Sequence, residues 1–128
     1  MSDNNMQTLN RDRIARIEAA IPLVEIGKVV KAENAIRLLE TVIRPFDMVN
    51  IEGDNQKQAD FLSECLCQAD TSRIHDLHMV QSAITLPSHL DIFEKGIAQE
   101  IDFSFSGPQA DRLARMIKEG TITVGSIH

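Results

Sequence analysis

The run Glu52-Gly53-Asp54-Asn55-Gln56 gathers the residues best suited to chemistry in this chain of 128 residues. It falls where a short apolar run ends and a helix starts, a place that offers free backbone N–H groups and the positive end of a helix dipole to an anion or a developing oxyanion. Gly53 lets a ligand approach the backbone closely, and Asn55 and Gln56 can donate side-chain hydrogen bonds. A carboxylate at the position of Glu52 can attack a thioester to form an acyl anhydride, or act as a base. The same residues also read as ordinary structure, with Gly53 making the turn, Asp54 or Asn55 capping the helix and Glu52 held by hydrogen bonds.

The run Ser104-Phe105-Ser106-Gly107-Pro108-Gln109 forms a second junction of this kind, with Gly107 and Gln109 as its candidate ligand contacts. A plain turn with proline near a helix start explains it too. His75 and His78 would share one face of a helix, but their segment reads as strand, where that spacing sends them to opposite faces, so no shared metal is expected. His78 remains a candidate by itself, His89 reads as a surface residue at a helix start, and His128 falls at a strand end. Cys65 and Cys67 have neither the C-x-x-C spacing nor the separation a disulfide needs, so their role is structural. No G-x-G-x-x-G, Walker A, G-x-S-x-G or zinc spacing occurs.

The elements that must position these residues follow from periodicity and punctuation. Residues 1–26 read as a polar tail, frayed over its first ten residues, and a short helix from Arg11 to Ile21 closed by Pro22. Gly27 breaks the chain, with Val29 and Val30 extended after it. A helix carrying Ala35, Ile36, Leu39, Val42 and Ile43 on one side runs to Pro45. Asp47 to Glu52 is a strand, and the next helix buries Ala59, Leu62, Cys65, Leu66 and Ala69. A second strand spans Ile74 to Val80, and a helix spans Pro87 to Lys95. A third strand carries Ile101, Phe103 and Phe105, and a helix is lined by Ala110, Leu113, Ala114 and Ile117. A fourth strand begins at Ile122. Strands alternating with helices require right-handed crossovers, so residues 27–128 are expected to form an open, mainly parallel α/β sheet with helices on its faces. Such sheets bind ligands beyond the carboxyl ends of their strands. Ending at His128 just after a strand, the chain reads as truncated at that edge.

Composition narrows the classes. Thirteen Lys and Arg against nineteen Asp and Glu leave a net charge of −6, and the basic residues are scattered singly, which argues against nucleic acid as a partner. No apolar run is long enough to span a bilayer, and the start MSDNNMQTLNRDR lacks the apolar core of a signal peptide, so a cytoplasmic location away from membranes is expected.

The strings EGDNQKQADFL at Glu52 to Leu62, HDLHM at His75 to Met79, LDIFEKG at Leu90 to Gly96 and FSGPQ at Phe105 to Gln109 resemble the amino-terminal part of the malonate decarboxylase alpha subunit family. The resemblance runs from about Gly27 to the end. It implies a fold like the coenzyme A transferases, and exchange of acetate for malonate on an acyl-carrier-protein thiol: acetyl-S-ACP plus malonate gives malonyl-S-ACP plus acetate. It implies no metal or cofactor of its own, since the thiol belongs to a phosphoribosyl-dephospho-coenzyme A arm on the carrier subunit. The implied partners are that acyl-carrier subunit, the decarboxylase subunits, malonate and acetate. On this reading Glu52 and Asn55 are catalytic, while Gly53, Gln56, Gly107 and Gln109 contact substrate. Full members of the family are several times longer, with a second related half. An isolated piece is therefore expected to be inactive, and to self-associate through two apolar surfaces left open. The alternatives are another coenzyme A transferase, such as a citrate-lyase-type alpha chain, and a non-catalytic interaction module.

Overall fold

Residues 3–52 and 59–127 are described by the structure, a computed structural model. Helix α1 (Asp3–Ala20) precedes α2 (Ala35–Val42). Then strands and helices alternate as β1 (Met48–Asn50), α3 (Asp60–Cys67), β2 (Leu77–Ala83), α4 (Ser88–Glu94), β3 (Ala98–Phe105), α5 (Ala110–Lys118) and β4 (Thr123–Ile127). The four strands lie in the order β1-β2-β3-β4, and every neighbouring pair is parallel. The expected parallel α/β sheet is what the chain forms.

Strand order that follows chain order has a geometric consequence. Right-handed crossovers that always step the same way place α3, α4 and α5 on one face of the sheet. That face holds the core, where Ile74, Leu77, Met79, Ile84, Leu90, Ile97 and Ile101 are fully buried. Each such side chain contributes about 1.5–3 kcal/mol through removal from water. Alternation along β2 sends Leu77, Met79, Gln81 and Ala83 into this core and leaves His78, Val80 and Ser82 on the opposite face. There Asn50, Glu52, Ser82 and Ser104 are exposed, so the described helices leave the second face open.

Several elements differ from their sequence reading. Helix α1 begins at Asp3 rather than Arg11, because no glycine or proline interrupts the polar stretch before it. It is fastened by Arg16, which pairs with Asp12 and Asp47 and donates to the Val42 carbonyl at 3.0 Å. Its apolar residues Met6, Leu9, Ile14 and Ile17 stay exposed. In α3 Ser63, Cys65, Leu66 and Cys67 are buried, so Cys65 and Leu66 face inward as expected, as does Ala69 just after the helix, whereas Leu62 is 47% exposed, one 100° step away from Ser63. In α5 the sheet receives Leu113 and Met116, not Ala110, Ala114 and Ile117. Strand β2 starts at Leu77 because Asp76 takes a left-handed conformation with φ of 55°. Of Val29 and Val30, only Val29 forms a bridge, closing a tight turn with Glu25 around Gly27.

Candidate functional site

Parallel pairing brings the carboxyl ends of all four strands to one edge. The Ile51 N–H donates to the Val80 carbonyl at 3.2 Å, which carries the β1–β2 ladder up to Glu52. The Glu52 carbonyl accepts from the Ala59 N–H at 3.1 Å, tying the end of β1 to the start of α3. Glu52 is exposed, at the edge the sequence reading assigned to it. Gly53, Asp54, Asn55 and Gln56 lie outside the described residues, as does His128. The residue preceding α3 is Ala59, which makes no side-chain cap bond, and the expected cap by Asp54 or Asn55 falls outside the described residues.

On the open face a cavity of about 570 Å³ is lined by Asn50, Glu52, Val80, Gln81, Ser82, Asp102 and Ser104. It joins the ends of β1, β2 and β3, which span about 10 Å at the usual strand spacing. Gln81 is 2% exposed, and neither its amide nitrogen nor its oxygen has a hydrogen-bond partner among the described residues. Gly107 and Gln109 are not part of this lining. They form a single 3₁₀ turn after β3, in which the Gln109 N–H donates to the Ser106 carbonyl at 3.2 Å and the Ala110 N–H donates to the Gly107 carbonyl. Two backbone donors of that junction are thus used internally. Gly107 has φ of 48°, and a Cβ there would sit 3.0 Å from the Phe105 ring, so glycine is required for the turn itself.

Two register shifts shape the open face. One falls between Leu77 and His78 in the β2–β3 pairing and the other between Ile101 and Asp102 in the β3–β4 pairing. Such bulges re-aim side chains, and here Glu100 and Asp102 both meet His78. The His78 Nε2 lies 3.0 Å from Asp102 Oδ1, and Nδ1 lies 3.5 Å from Glu100 Oε2. The first approach is an ion-pair distance without hydrogen-bond alignment, since neither Nε2 nor Oδ1 completes a hydrogen bond. His78, followed by Ser126, holds the Asp102 carboxyl below the usual carboxylate range. The bulge residue in β4 is Gly125, over which the Asp102 carboxylate folds, and a Cβ there would overlap it. His75 precedes β2, pairs with Asp76 at 2.7 Å and meets Phe46 edge-on, so the two histidines serve different places.

His89 is a correction. It is 1% exposed, and its Nδ1 accepts the N–H groups of Thr85 and Leu86 at 3.2 and 3.3 Å, which holds the imidazole neutral at the start of α4. Burial pushes its pKa down. Cys65 and Cys67 are free and buried, and burial raises both thiols, which disfavours the thiolate and agrees with a structural role.

The described lining of the cavity is therefore rich in acceptors, with two carboxylates, two hydroxyls and the Asn50 amide oxygen, and holds no lysine or arginine among the described residues. A dianionic ligand would be repelled from it, so an anion would have to be met by donors elsewhere on the carboxyl edge. Asp102, Ser104, Asn50 and Ser82 were not singled out as a group from the sequence. The alternation Ile101-Asp102-Phe103-Ser104 does place Asp102 and Ser104 on one face, but only strand neighbours bring Glu52 beside them.

The chain is 52% identical over 120 residues to the acetyl-S-ACP:malonate ACP transferase of Malonomonas rubra, covering 94% of this chain and 22% of that protein. Its fold superposes on a malonate decarboxylase alpha subunit from Acinetobacter baumannii with a TM-score of 0.89 and 44% identity, over 93% of this chain and 22% of the other. A Pseudomonas malonate decarboxylase hetero-tetramer in complex with malonate gives a TM-score of 0.88 at 44% identity, over 92% and 21%. The chain thus spans about a fifth of the length of these relatives. Residues 5–128 match the sequence model of "Malonate decarboxylase, alpha subunit, transporter", and the chain belongs to that family.

Proposed function

We propose that this chain is an amino-terminal segment of a malonate decarboxylase alpha subunit that transfers the carrier-protein thiol from acetate to malonate. In that reaction acetyl-S-ACP and malonate give malonyl-S-ACP and acetate, with the reacting thiol carried on the phosphoribosyl-dephospho-coenzyme A arm of the acyl-carrier subunit. The observation that carries the reading is Glu52, exposed at the carboxyl end of a parallel strand and followed by the donor-rich run Gly53-Asp54-Asn55-Gln56. Its carboxylate attacks the acetyl thioester to form an acyl anhydride and release the thiolate, which attacks the glutamyl carbonyl and expels acetate. Malonate then displaces the thiolate from that glutamyl thioester, and the thiolate takes the malonyl group from the resulting anhydride and frees the Glu52 carboxylate, while Asn55 and its neighbours stabilise each oxyanion that develops. Gly53, Gln56, Gly107 and Gln109 contact substrate carboxylates and carbonyls, away from the acceptor-lined cavity. The alpha subunit works beside the carrier and decarboxylase subunits, and the segment alone carries out no turnover.

The test is acyl exchange between acetyl-carrier and malonate by a full-length subunit carrying this segment. Replacing Asn55→Ala removes one oxyanion donor and is expected to lower the rate about 100- to 1000-fold, corresponding to about 3–4 kcal/mol, with thermal stability little changed. Parallel loss of folding and activity would show Asn55 to be structural. Turnover by residues 1–128 purified alone would overturn the division of the site between this segment and the rest.

A further inference from the structure

The open face of the sheet is polar, which corrects the expectation of an apolar surface there. Exposed apolar side chains gather instead on α1, where Ile14 is 53% and Ile17 57% exposed, and Ile21 just past the helix end is 59% exposed. Spacings of three and four residues set these on one face. The helix meets the rest of the chain on another side, through the buried Ala20 and through Arg16, which is held by Asp47 and the Val42 carbonyl. Charged residues line one flank of the apolar face. Arg11 and Glu18 are separated by close to two full turns, so they stand in one row, Arg11 nearer the middle of the helix and Glu18 nearer its end. Both are exposed, and neither takes part in an ion pair among the described residues.

We propose that this face of α1 binds the same face of a second copy of this chain, the two helices running antiparallel about a two-fold axis that passes midway between Ala15 and Arg16. Ile14 of each copy then packs on Ile17 of the other, and Arg11 of each meets Glu18 of the other, which is the reciprocal pattern a two-fold contact requires. Charge selects both the occupant and its orientation. A row with a cation toward one end and a carboxylate toward the other is complementary to itself when reversed. Sliding the antiparallel pair by about one turn brings Arg11 against Arg11. A parallel pair sets this flank against the opposite one and leaves Arg11 facing Met6, with no carboxylate. One helix pair is a small contact beside a standard interface, so the association is weak and concentration-dependent. The inference concerns assembly and stands apart from the transfer reaction.

The test is a charge reversal on this chain, read by sedimentation velocity over a range of concentrations. Arg11→Glu and Glu18→Arg are each expected to weaken dimerisation about tenfold, because each turns two attractive pairs into two repulsive ones. Combining Arg11→Glu with Glu18→Arg restores both pairs in reverse and is expected to return the dissociation constant to within about threefold of the unsubstituted chain. Both positions are exposed, so the variants fold alike. Orientation is read by oxidative cross-linking, for which the native thiols Cys65 and Cys67 are buried. An equal mixture of Ile14→Cys and Ile17→Cys chains should form disulfide-linked dimers at least about tenfold faster than either variant alone, since antiparallel packing sets position 14 beside position 17. A chain that stays monomeric at every concentration would overturn the proposal. Dimerisation that the single reversals leave unchanged, or that the double reversal fails to restore, would overturn it as well. Faster cross-linking of either variant with itself would show a parallel pair and overturn the antiparallel contact.

Discussion

Replacing His89→Asn should remove a specific pH dependence of folding while keeping most of the stability. The imidazole is buried at the start of α4, and Nδ1 accepts two backbone N–H groups, from Thr85 and Leu86. That role requires a neutral ring, and burial lowers its pKa from the ordinary value of 6.5. An unfolded histidine takes up a proton below pH 6.5, while the buried one resists it. The unfolded state then binds more protons, and stability falls as pH drops through that value. With an unfolded pKa of 6.5, the loss by pH 5.5 has a ceiling of about 1.4 kcal/mol relative to pH 8. An asparagine Oδ1 can stand where Nδ1 does and accept the same N–H groups without titrating. His89→Leu supplies no acceptor and leaves two buried donors unpaired, at about 1–3 kcal/mol each. Urea unfolding followed by far-ultraviolet circular dichroism at intervals between pH 8 and 5.5 separates these cases. The wild-type chain should lose stability toward low pH more steeply than His89→Asn, and His89→Leu should be the least stable at pH 8. The three proteins differ only at residue 89, so the differences between their profiles report on that position. Parallel pH profiles for wild type and His89→Asn would refute the reasoning, because they would mean that the ring titrates alike in both states.

Truncation of Ile101, fully buried at the centre of β3, to alanine is expected to cost about 2–5 kcal/mol in urea or thermal unfolding. A loss under 1 kcal/mol would mean that the sheet core is not packed as described. The exposed residues Ile14 and Ile17, three apart on α1, share one face of that helix. Self-association measured by sedimentation velocity should therefore weaken on Ile14→Glu combined with Ile17→Glu, whereas unchanged association would place the contact elsewhere.

Much of the architecture was open to reading from local pattern. Gly53, Pro87, Gly96, Gly107, Pro108 and Gly120 punctuate the chain between apolar runs, and these mark where strands and helices give way to one another because their backbone preferences are local properties. Parallel pairing followed from the alternation itself, since a strand reached through a helix returns in the same direction. Where two apolar stripes overlapped on one helix, local pattern could not choose between them. Ile117 and Met116 are both apolar and adjacent, and only the position of the sheet decided that Met116 is buried. His89 illustrates the same limit. A histidine among polar neighbours reads as surface until the carbonyl and amide groups of the preceding turn are seen folding around it.

The amino-acid order alone determined which side chains share a face of each strand, and hence that Asp102 and Ser104 stand together and that Glu52 closes an extended run. Strand order was decided only in three dimensions, where β1 through β4 line up in sequence and leave one face without a helix among the described residues. So were the two bulges that carry Glu100 and Asp102 to His78 and the glycine that makes room for them. The reason is physical: side-chain alternation is set by the backbone of a single strand, whereas the identity and register of its neighbours depend on contacts between residues far apart in the chain, which no local spacing records.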